Sequence, residues 1–253
     1  MDKPGLPTPG RPGLSGQDRQ AQVNGRASYV RDIFTRVAPR YDLMNRLMTG
    51  GQDLRWREEV IRRAELAPGD RLLDLGAGTG DLSREALRQQ ADLRPVAADF
   101  TLAMMRAGRQ AHVETGVERI AWSAADALHL PFREGSFDAV ISGFLLRNVA
   151  DVQQALREQH RVLRPGGRWV ALDTTRPAPN PFSPLIFLHL HFVIPAMGWL
   201  ITGQRDAYTY LPVSTEHFFR AEELAARLAA AGFREVGYRR LMLGTVAIHW
   251  GKR

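Results

Sequence analysis

The segment that most constrains this chain is Leu72-Leu73-Asp74-Leu75-Gly76-Ala77-Gly78-Thr79-Gly80, followed at once by Asp81-Leu82. A short apolar run enters it, three alternate glycines turn the chain, and a helical pattern leaves it. Such a turn lets backbone approach a ligand closely at the end of a strand. The spacing is Gly-x-Gly-x-Gly rather than the Gly-x-Gly-x-x-Gly dinucleotide fingerprint, so the pyrophosphate cradle at the helix start is not reproduced. Asp74, just before the first glycine, offers a carboxylate to organise the loop or to meet a cationic group of a ligand. Gly76, Gly78 and Thr79 are read as the cofactor-facing turn. A tight turn without a ligand is the plainer alternative.

The pattern around the loop sets the fold class. Strand-length apolar runs at Arg71–Leu75, Arg94–Ala98, Ile120–Ser123, Phe137–Ser142 and Arg168–Leu172 alternate with helical stretches at Asp81–Gln90, Leu102–Val113 and Val152–Leu163. Alternation of this kind predicts parallel crossovers and a doubly wound, mostly parallel α/β sheet. Ala221–Ala231 reads as a further helix, with Phe233–Met242 and Thr245–Trp250 as a terminal hairpin that brings the sheet to seven strands. Arg164-Pro165-Gly166-Gly167-Arg168 reads as a turn.

Upstream, residues 1–27 are rich in Pro, Gly, Ser and Gln and are expected to form a tail without stable structure. Helices are expected over Ser28–Val37 and Leu43–Leu66, the second interrupted at Gly50-Gly51. Residues 28–253 are expected to form one domain, with 176–212 as an insertion after the fifth strand. Within it, Phe182–Ile201 is long and apolar enough to suggest a membrane span, but Pro184, Pro195, His189 and His191 argue against one. The segment is expected to be a buried or capping helical insertion, with an apolar groove or membrane-surface face as the alternative.

Acids at strand ends narrow the ligand. Asp99 closes the second strand, where a carboxylate can accept both ribose hydroxyls of an adenosine; an N-cap role for the next helix is the alternative. Asp126 follows the third strand and can take an adenine amino hydrogen, or cap its own loop. Together with the loop they favour S-adenosylmethionine over a nicotinamide dinucleotide.

The net charge of +7 invites a nucleic-acid reading. However, the cations are nearly all arginines scattered along the chain, with lysine at Lys3 and Lys252 alone. No Asn/Asp-Pro-Pro-Tyr/Phe motif serves exocyclic amines, and the absence of cysteine removes attack on a pyrimidine carbon, disulfides and thiolate metal sites. No nucleic-acid partner and no metal are expected. The opening residues lack an apolar core, so a cytoplasmic protein is expected, with weak attraction to an anionic membrane face at low salt.

Motifs outside the loop resemble the ubiquinone/menaquinone biosynthesis C-methyltransferase family, from about Val30 to Gly251. Tyr41-Asp42-Leu43-Met44-Asn45 through Trp56 is similar to its N-terminal signature, with Asp53 where histidine is usual. Phe144-Leu145-Leu146-Arg147-Asn148 resembles the motif after the fourth strand, with Leu145 in place of glycine. Arg161–Gly167 leading to Asp173-Thr174-Thr175, and Asp206-Ala207-Tyr208-Thr209-Tyr210-Leu211, match two more. The resemblance implies a Rossmann-like methyltransferase in which Thr79, Asp99, Asp126 and Ala127 contact S-adenosylmethionine. A serine contact used in the family falls on Gly143 here, with Ser142 one place off. The implied acceptor is a prenylated hydroquinone, demethylmenaquinol ahead of a benzoquinol of ubiquinone synthesis. For it, Arg147 would stabilise a phenolate, Asp206 or a water it holds would take the proton, and Tyr41, Asn148 and Tyr208 would orient the ring. A structural salt bridge for Arg147, and packing for the aromatic residues, are the plainer readings. A dehydrogenase, a nucleic-acid methyltransferase and a non-catalytic cofactor-binding module are the competing classes.

Overall fold

The computed structural model describes residues 16–115, 119–178, 181–202, 212 and 214–253. Its centre is a seven-stranded sheet in the order β3-β2-β1-β4-β5-β7-β6. The strands are β1 Arg71–Leu75, β2 Arg94–Asp99, β3 Ala121–Ala124, β4 Phe137–Gly143, β5 Leu163–Thr174, β6 Arg234–Leu241 and β7 Val246–Lys252. The first five run parallel, while β7 pairs antiparallel with β5 and β6. The expected terminal hairpin is present, and its second strand is the one that docks on β5. The expected turn at Arg164–Gly167 loops out of the β4–β5 ladder, whose register jumps from Phe137↔Leu163 to Ala139↔Arg168.

Alternation along the strands divides the core. Leu73, Leu75, Val140, Trp169 and Ala171 pack on one face against α6 (Val152–Val162) and α9 (Ala221–Ala230). Leu72, Ala139, Ile141, Val170 and Leu172 face the other way, against α3 (Gln52–Arg63) and α4 (Asp81–Gln89). Residues one apart on a strand point to opposite faces, so a continuous apolar run is what a sheet covered on both sides requires. The strand order reverses between β1 and β4, which opens a crevice at their carboxyl ends.

A helical cap lies at that end. The first helix, α1, spans Gly16–Val37 and so enters the stretch expected to be an unstructured tail. The last proline before α1 is Pro12, and Gln17 to Gln22 are residues a helix tolerates well, so the Val30–Val37 pattern can extend N-terminally. After it come α2 (Tyr41–Thr49) and α3, separated at Gly50-Gly51, where both residues take positive φ. Ile33, Val37, Met44 and Ile194 form a small core joining α1 and α2 to the insertion.

The insertion departs from expectation at its second proline. Pro195 does not break it: α7 (Ser183–Leu188), a π-turn at His189–Val193 and α8 (Ile194–Thr202) make one rod, in which the Ile194 N–H donates to the His189 carbonyl. The wider turn lies just before the proline, relieving the clash between its ring and the carbonyl one turn earlier. Of the two forms expected for it, the rod takes the capping one rather than the buried one. Ile186 and Ile194 are covered, but Leu185, Phe187, Phe192 and Trp199 are exposed, and Leu200 is 76% exposed. Ser183–Ile201 is also long and apolar enough, by length and composition, to cross a membrane.

Candidate active site

Two cavities lie at the carboxyl end of the sheet. The first, about 430 Å³, is walled by the glycine loop, Asp99, Asp126, Ala127, Gly143 and Asn148, with Val30, Phe34 and Tyr41 from the cap. The second, about 440 Å³, is walled largely by apolar residues of the cap, the insertion and the β6–β7 turn, with Arg147 among them. Phe34, Tyr41 and Phe144 line both, so the cavities share a wall.

The glycine loop spends its amides on the protein. Gly76 and Ala77 N–H both donate to the Ala98 carbonyl, at 2.8 and 3.1 Å, and Gly80 donates to Ala77. Gly78 N–H donates to Asp99 Oδ2 at 2.8 Å. These donors are therefore not presented to a pyrophosphate, and Asp81 places a buried acid in the first turn of α4. A loop built this way suits a cofactor without phosphate. Gly76 has φ +68°, and a Cβ there would sit 2.9 Å from Leu145 Cδ1, so the leucine at the family's usual glycine position packs directly on the loop.

Asp74 is fully buried, and its Oδ2 accepts the Ser83 N–H and hydroxyl at 3.0 and 2.8 Å. Its Oδ1 has no partner among the described residues. Asp74 thus braces β1 to α4 and keeps one oxygen in reserve. Burial pushes its carboxyl up to about 6, against the opposing pull of the Ser83 hydrogen bonds and Arg57. An Asp raised in this way is ionised at a cost in the folded state, so its stabilising effect is complete below the unfolded value near 3.8 and is lost as pH rises towards 6. A cofactor ammonium would draw on the ionised form. Binding is expected to tighten as pH rises through about 6 in the wild type. Titration calorimetry on Asp74→Asn should show that dependence flattened; an unchanged pH profile would leave Asp74 as a brace alone.

Asp99 carries both roles considered for it. Its Oδ1 accepts Thr101 N–H at 2.6 Å at the start of α5 (Leu102–Thr115), its Oδ2 accepts Gly78 N–H, and its carboxylate borders the cavity. The carboxylate also takes hydrogen bonds from the Thr101 hydroxyl and the Phe100 N–H, so a ribose hydroxyl would share its oxygens with these donors. Asp126 is exposed at the rim, and its Oδ1 accepts Leu128 N–H at 2.9 Å, the loop-capping geometry; Ala127 beside it is buried. Thr79 lines the cavity, but its hydroxyl donates to Asp42 Oδ1 at 2.8 Å, clamping α2 to the loop. Gly143 contributes bare backbone to the wall, while Ser142, one place earlier, is buried away from both cavities, so the family's serine contact is not reproduced.

Arg57 also faces the cofactor cavity. It pairs with Asp53 at 3.5 Å and Asp81 at 3.0 Å, and Asp53 accepts a hydrogen bond from Thr49. The residue where the family pattern has histidine is therefore one of two carboxylates beside Arg57, Asp81 being the nearer. The i, i+4 spacing of Asp53 from Arg57 was visible in the sequence, although its depth was not. Nothing local marked Val30 and Phe34 as cavity residues, since only the folding of the cap brings α1 over the sheet.

Of the residues read as serving the acceptor, Tyr41 lies on the shared wall, 5.8 Å edge-on from Phe34. Burial raises its hydroxyl, opposed by the neighbouring Asn45 amide and by Arg147 and Arg57. Arg147 borders the second cavity, pairs with Asp173 at 3.0 Å, and lies 5.1 Å from the Phe144 ring. The salt-bridge reading is thus real and compatible with exposure of the guanidinium to the cavity. Asn148 falls on the cofactor side instead, and its amide donates to the Phe144 carbonyl at 2.8 Å. Phe144 has φ +59°, so Asn148 secures a strained turn rather than reaching the second cavity. Asp206 and Tyr208 lie outside the described residues. No cluster of metal-ligating side chains occurs among the described residues.

Residues 21–253 match the ubiE/COQ5 methyltransferase family. The chain belongs to that family. Similar relatives include a demethylmenaquinone methyltransferase of Thermus thermophilus, 45% identical over 87% of this chain and 100% of its own length. Another is a ubiquinone/menaquinone biosynthesis C-methyltransferase of Desulfotalea psychrophila, 41% identical over 92% of this chain and 94% of its own. Among solved structures, the [4+2]-cyclase SpnF superposes with TM-score 0.66 at 19% identity, covering 88% of this chain and 94% of its own. That likeness concerns the fold. This family member is an S-adenosylmethionine-dependent methyltransferase, and the donor set fits that cofactor: a buried carboxylate with an unpartnered oxygen, an acid at the end of β2 and glycine amides turned inward.

Proposed function

We propose that the enzyme methylates a ring carbon of a prenylated quinol, with demethylmenaquinol as acceptor and menaquinol as product. The observation that carries this reading is the apolar second cavity sharing Tyr41 and Phe144 with the cofactor cavity and holding Arg147 in its wall. Support for the naphthoquinol comes from relatives named demethylmenaquinone methyltransferase, at 45% identity in Thermus thermophilus and 40% in Roseiflexus. A benzoquinol acceptor is the second reading, favoured by the relatives whose name also includes ubiquinone.

When bound, S-adenosylmethionine supplies an electrophilic methyl group, whose bond to sulfur breaks as the bond to the ring carbon forms. The protein's task is alignment, and making that carbon nucleophilic. Asp74, Asp99, Asp126 and the Ala127 backbone hold the cofactor in the first cavity; Tyr41 and Phe144 separate and orient the partners. Arg147 favours ionisation of the ring hydroxyl next to the accepting carbon, whose phenolate pushes electrons onto that carbon. Asp206 or a water it holds takes the hydroxyl proton. Once the methyl group is attached, the hydrogen on that carbon leaves as a proton, its C–H electrons restore the aromatic ring, and the ring oxygen is reprotonated. Incubation with reduced naphthoquinone and benzoquinone acceptors separates the two readings, and failure to methylate either would overturn both.

The insertion suits the tail. Exposed Leu185 and Leu243 stand at the edge of the second cavity, and the apolar face of α7–α8 continues outward. We read that face as resting on a lipid surface, with the tail passing from cavity to membrane. The enzyme is expected to float with anionic vesicles, and Leu200→Glu to weaken that partition by about tenfold while sparing turnover of a tail-less acceptor. A wild-type enzyme that stays out of the vesicle fraction would sink this placement.

A further inference from the structure

The second cavity holds an imbalance among its hydroxyls. The Thr49 hydroxyl has the Asn45 carbonyl and Asp53 Oδ1 as acceptors, at 2.8 and 3.1 Å, and the Thr245 hydroxyl donates to the Met242 carbonyl at 2.8 Å. Thr174 and Thr215 differ. They are 9% and 2% exposed, both line this cavity, and neither Oγ1 has a hydrogen-bond partner among the described residues. A buried hydroxyl is normally satisfied, because leaving it unpaired forfeits its hydration with nothing in return. These two come from distant parts of the chain, Thr174 from the carboxyl end of β5 and Thr215 from the short helical stretch before α9. They open on one apolar space that also holds Arg147.

Their chemistry differs from that of Arg147. A guanidinium matches an oxygen that becomes an anion, whereas a neutral hydroxyl both donates and accepts, and so matches an oxygen that keeps its proton. A quinol ring carries one oxygen of each kind during methylation: the one next to the accepting carbon ionises, and the one across the ring does not. We propose that Thr174 and Thr215 hold this second ring oxygen, so that the enzyme selects an acceptor with two ring oxygens over one with a single hydroxyl. The proposal rests on the quinol reading above and adds the residues that recognise the far side of the ring.

The test uses the full-length enzyme with S-adenosylmethionine under reducing conditions and two acceptors: 2-prenyl-1,4-naphthalenediol, and 3-prenyl-1-naphthol, which keeps the activating hydroxyl and lacks the second. The variants Thr174→Val and Thr215→Val preserve shape and remove the hydroxyl. Each is expected to raise KM for the diol by about tenfold, the pair by more, with kcat within about threefold and KM for the naphthol unchanged. The melting temperature should hold or rise in each variant, since an unpaired buried polar atom is lost, whereas a hydroxyl with a structural partner would lower it. Diol KM within about twofold of wild type in both variants, or equal weakening toward both acceptors, overturns the proposal. A wild-type enzyme that methylates neither the diol nor a reduced benzoquinone overturns the quinol reading and this inference with it. An active wild type with indifferent variants overturns this inference alone.

Discussion

Replacing Arg147 by alanine is expected to lower kcat by about 10²–10³-fold while leaving the Kd for S-adenosylmethionine within about threefold. The split follows from position, since Arg147 borders the second cavity, proposed for the acceptor, and the first is built from other residues. Its partner complicates the experiment. Asp173 is buried, with its carboxyl raised by that burial and pulled down by Arg147 and the backbone N–H groups of Thr174 and Arg147. Removing the arginine strands this acid, at a cost of about 3–5 kcal/mol, so the melting temperature should fall as well. A pH profile separates the two effects. Should Arg147 act on the phenolate, the variant's rate will climb with pH towards the phenol's own ionisation near ~10, where the substrate no longer needs assistance. A purely structural loss would depress the rate evenly across pH. Arg147→Lys keeps the charge without the fork, and should recover part of the rate at neutral pH. A wild-type rate in the alanine variant would end the phenolate role.

Asp99→Ala should produce the opposite signature: cofactor Kd weakened by at least ~100-fold, with kcat at saturating S-adenosylmethionine close to wild type. Its two oxygens accept Gly78 and Thr101 N–H at 2.8 and 2.6 Å, so truncation leaves two buried donors unpaired. Each lost partner costs about 1–3 kcal/mol, and the ribose hydroxyls lose their acceptor too. Asn is not a mild replacement, because its amide would turn a donor towards one of those N–H groups. Calorimetry on both variants supplies the measurement. A Kd within about threefold of wild type for Asp99→Ala would make this residue a loop brace with no share in binding.

Much of the frame was legible. The β1 limits, Arg71–Leu75, follow from an apolar run bounded by polar residues and glycine, and α4 and α6 end within a residue of where their periodicity stops. The site was legible in part, for one reason: strand-end acids sit beside the loop in any doubly wound sheet, so Asp74, Asp99 and Asp126 could be named from strand positions alone. Asn148 shows the limit. Its place after β4 suggested the acceptor, whereas the structure turns its amide to the Phe144 carbonyl, because Phe144 takes a left-handed conformation that no local pattern announces. The insertion shows it again. Apolar composition left a buried and a capping segment both open, and only the structure shows one flank of α7–α8 over the cavity with the rest facing outward.

By itself, then, the sequence determined the alternating α/β frame, the glycine turn and the acids that border the first cavity, since these depend on periodicity and on chain neighbours. Tertiary structure alone decided the order of the strands, with β7 set between β5 and β6, and the pairing of Arg147 with Asp173. It also decided which hydroxyls of the second cavity go without partners among the described residues. Hydrogen bonds and ion pairs between distant segments form only once packing brings them within about 3 Å of each other, and hydrophobic patterning says that a surface is covered without saying by what.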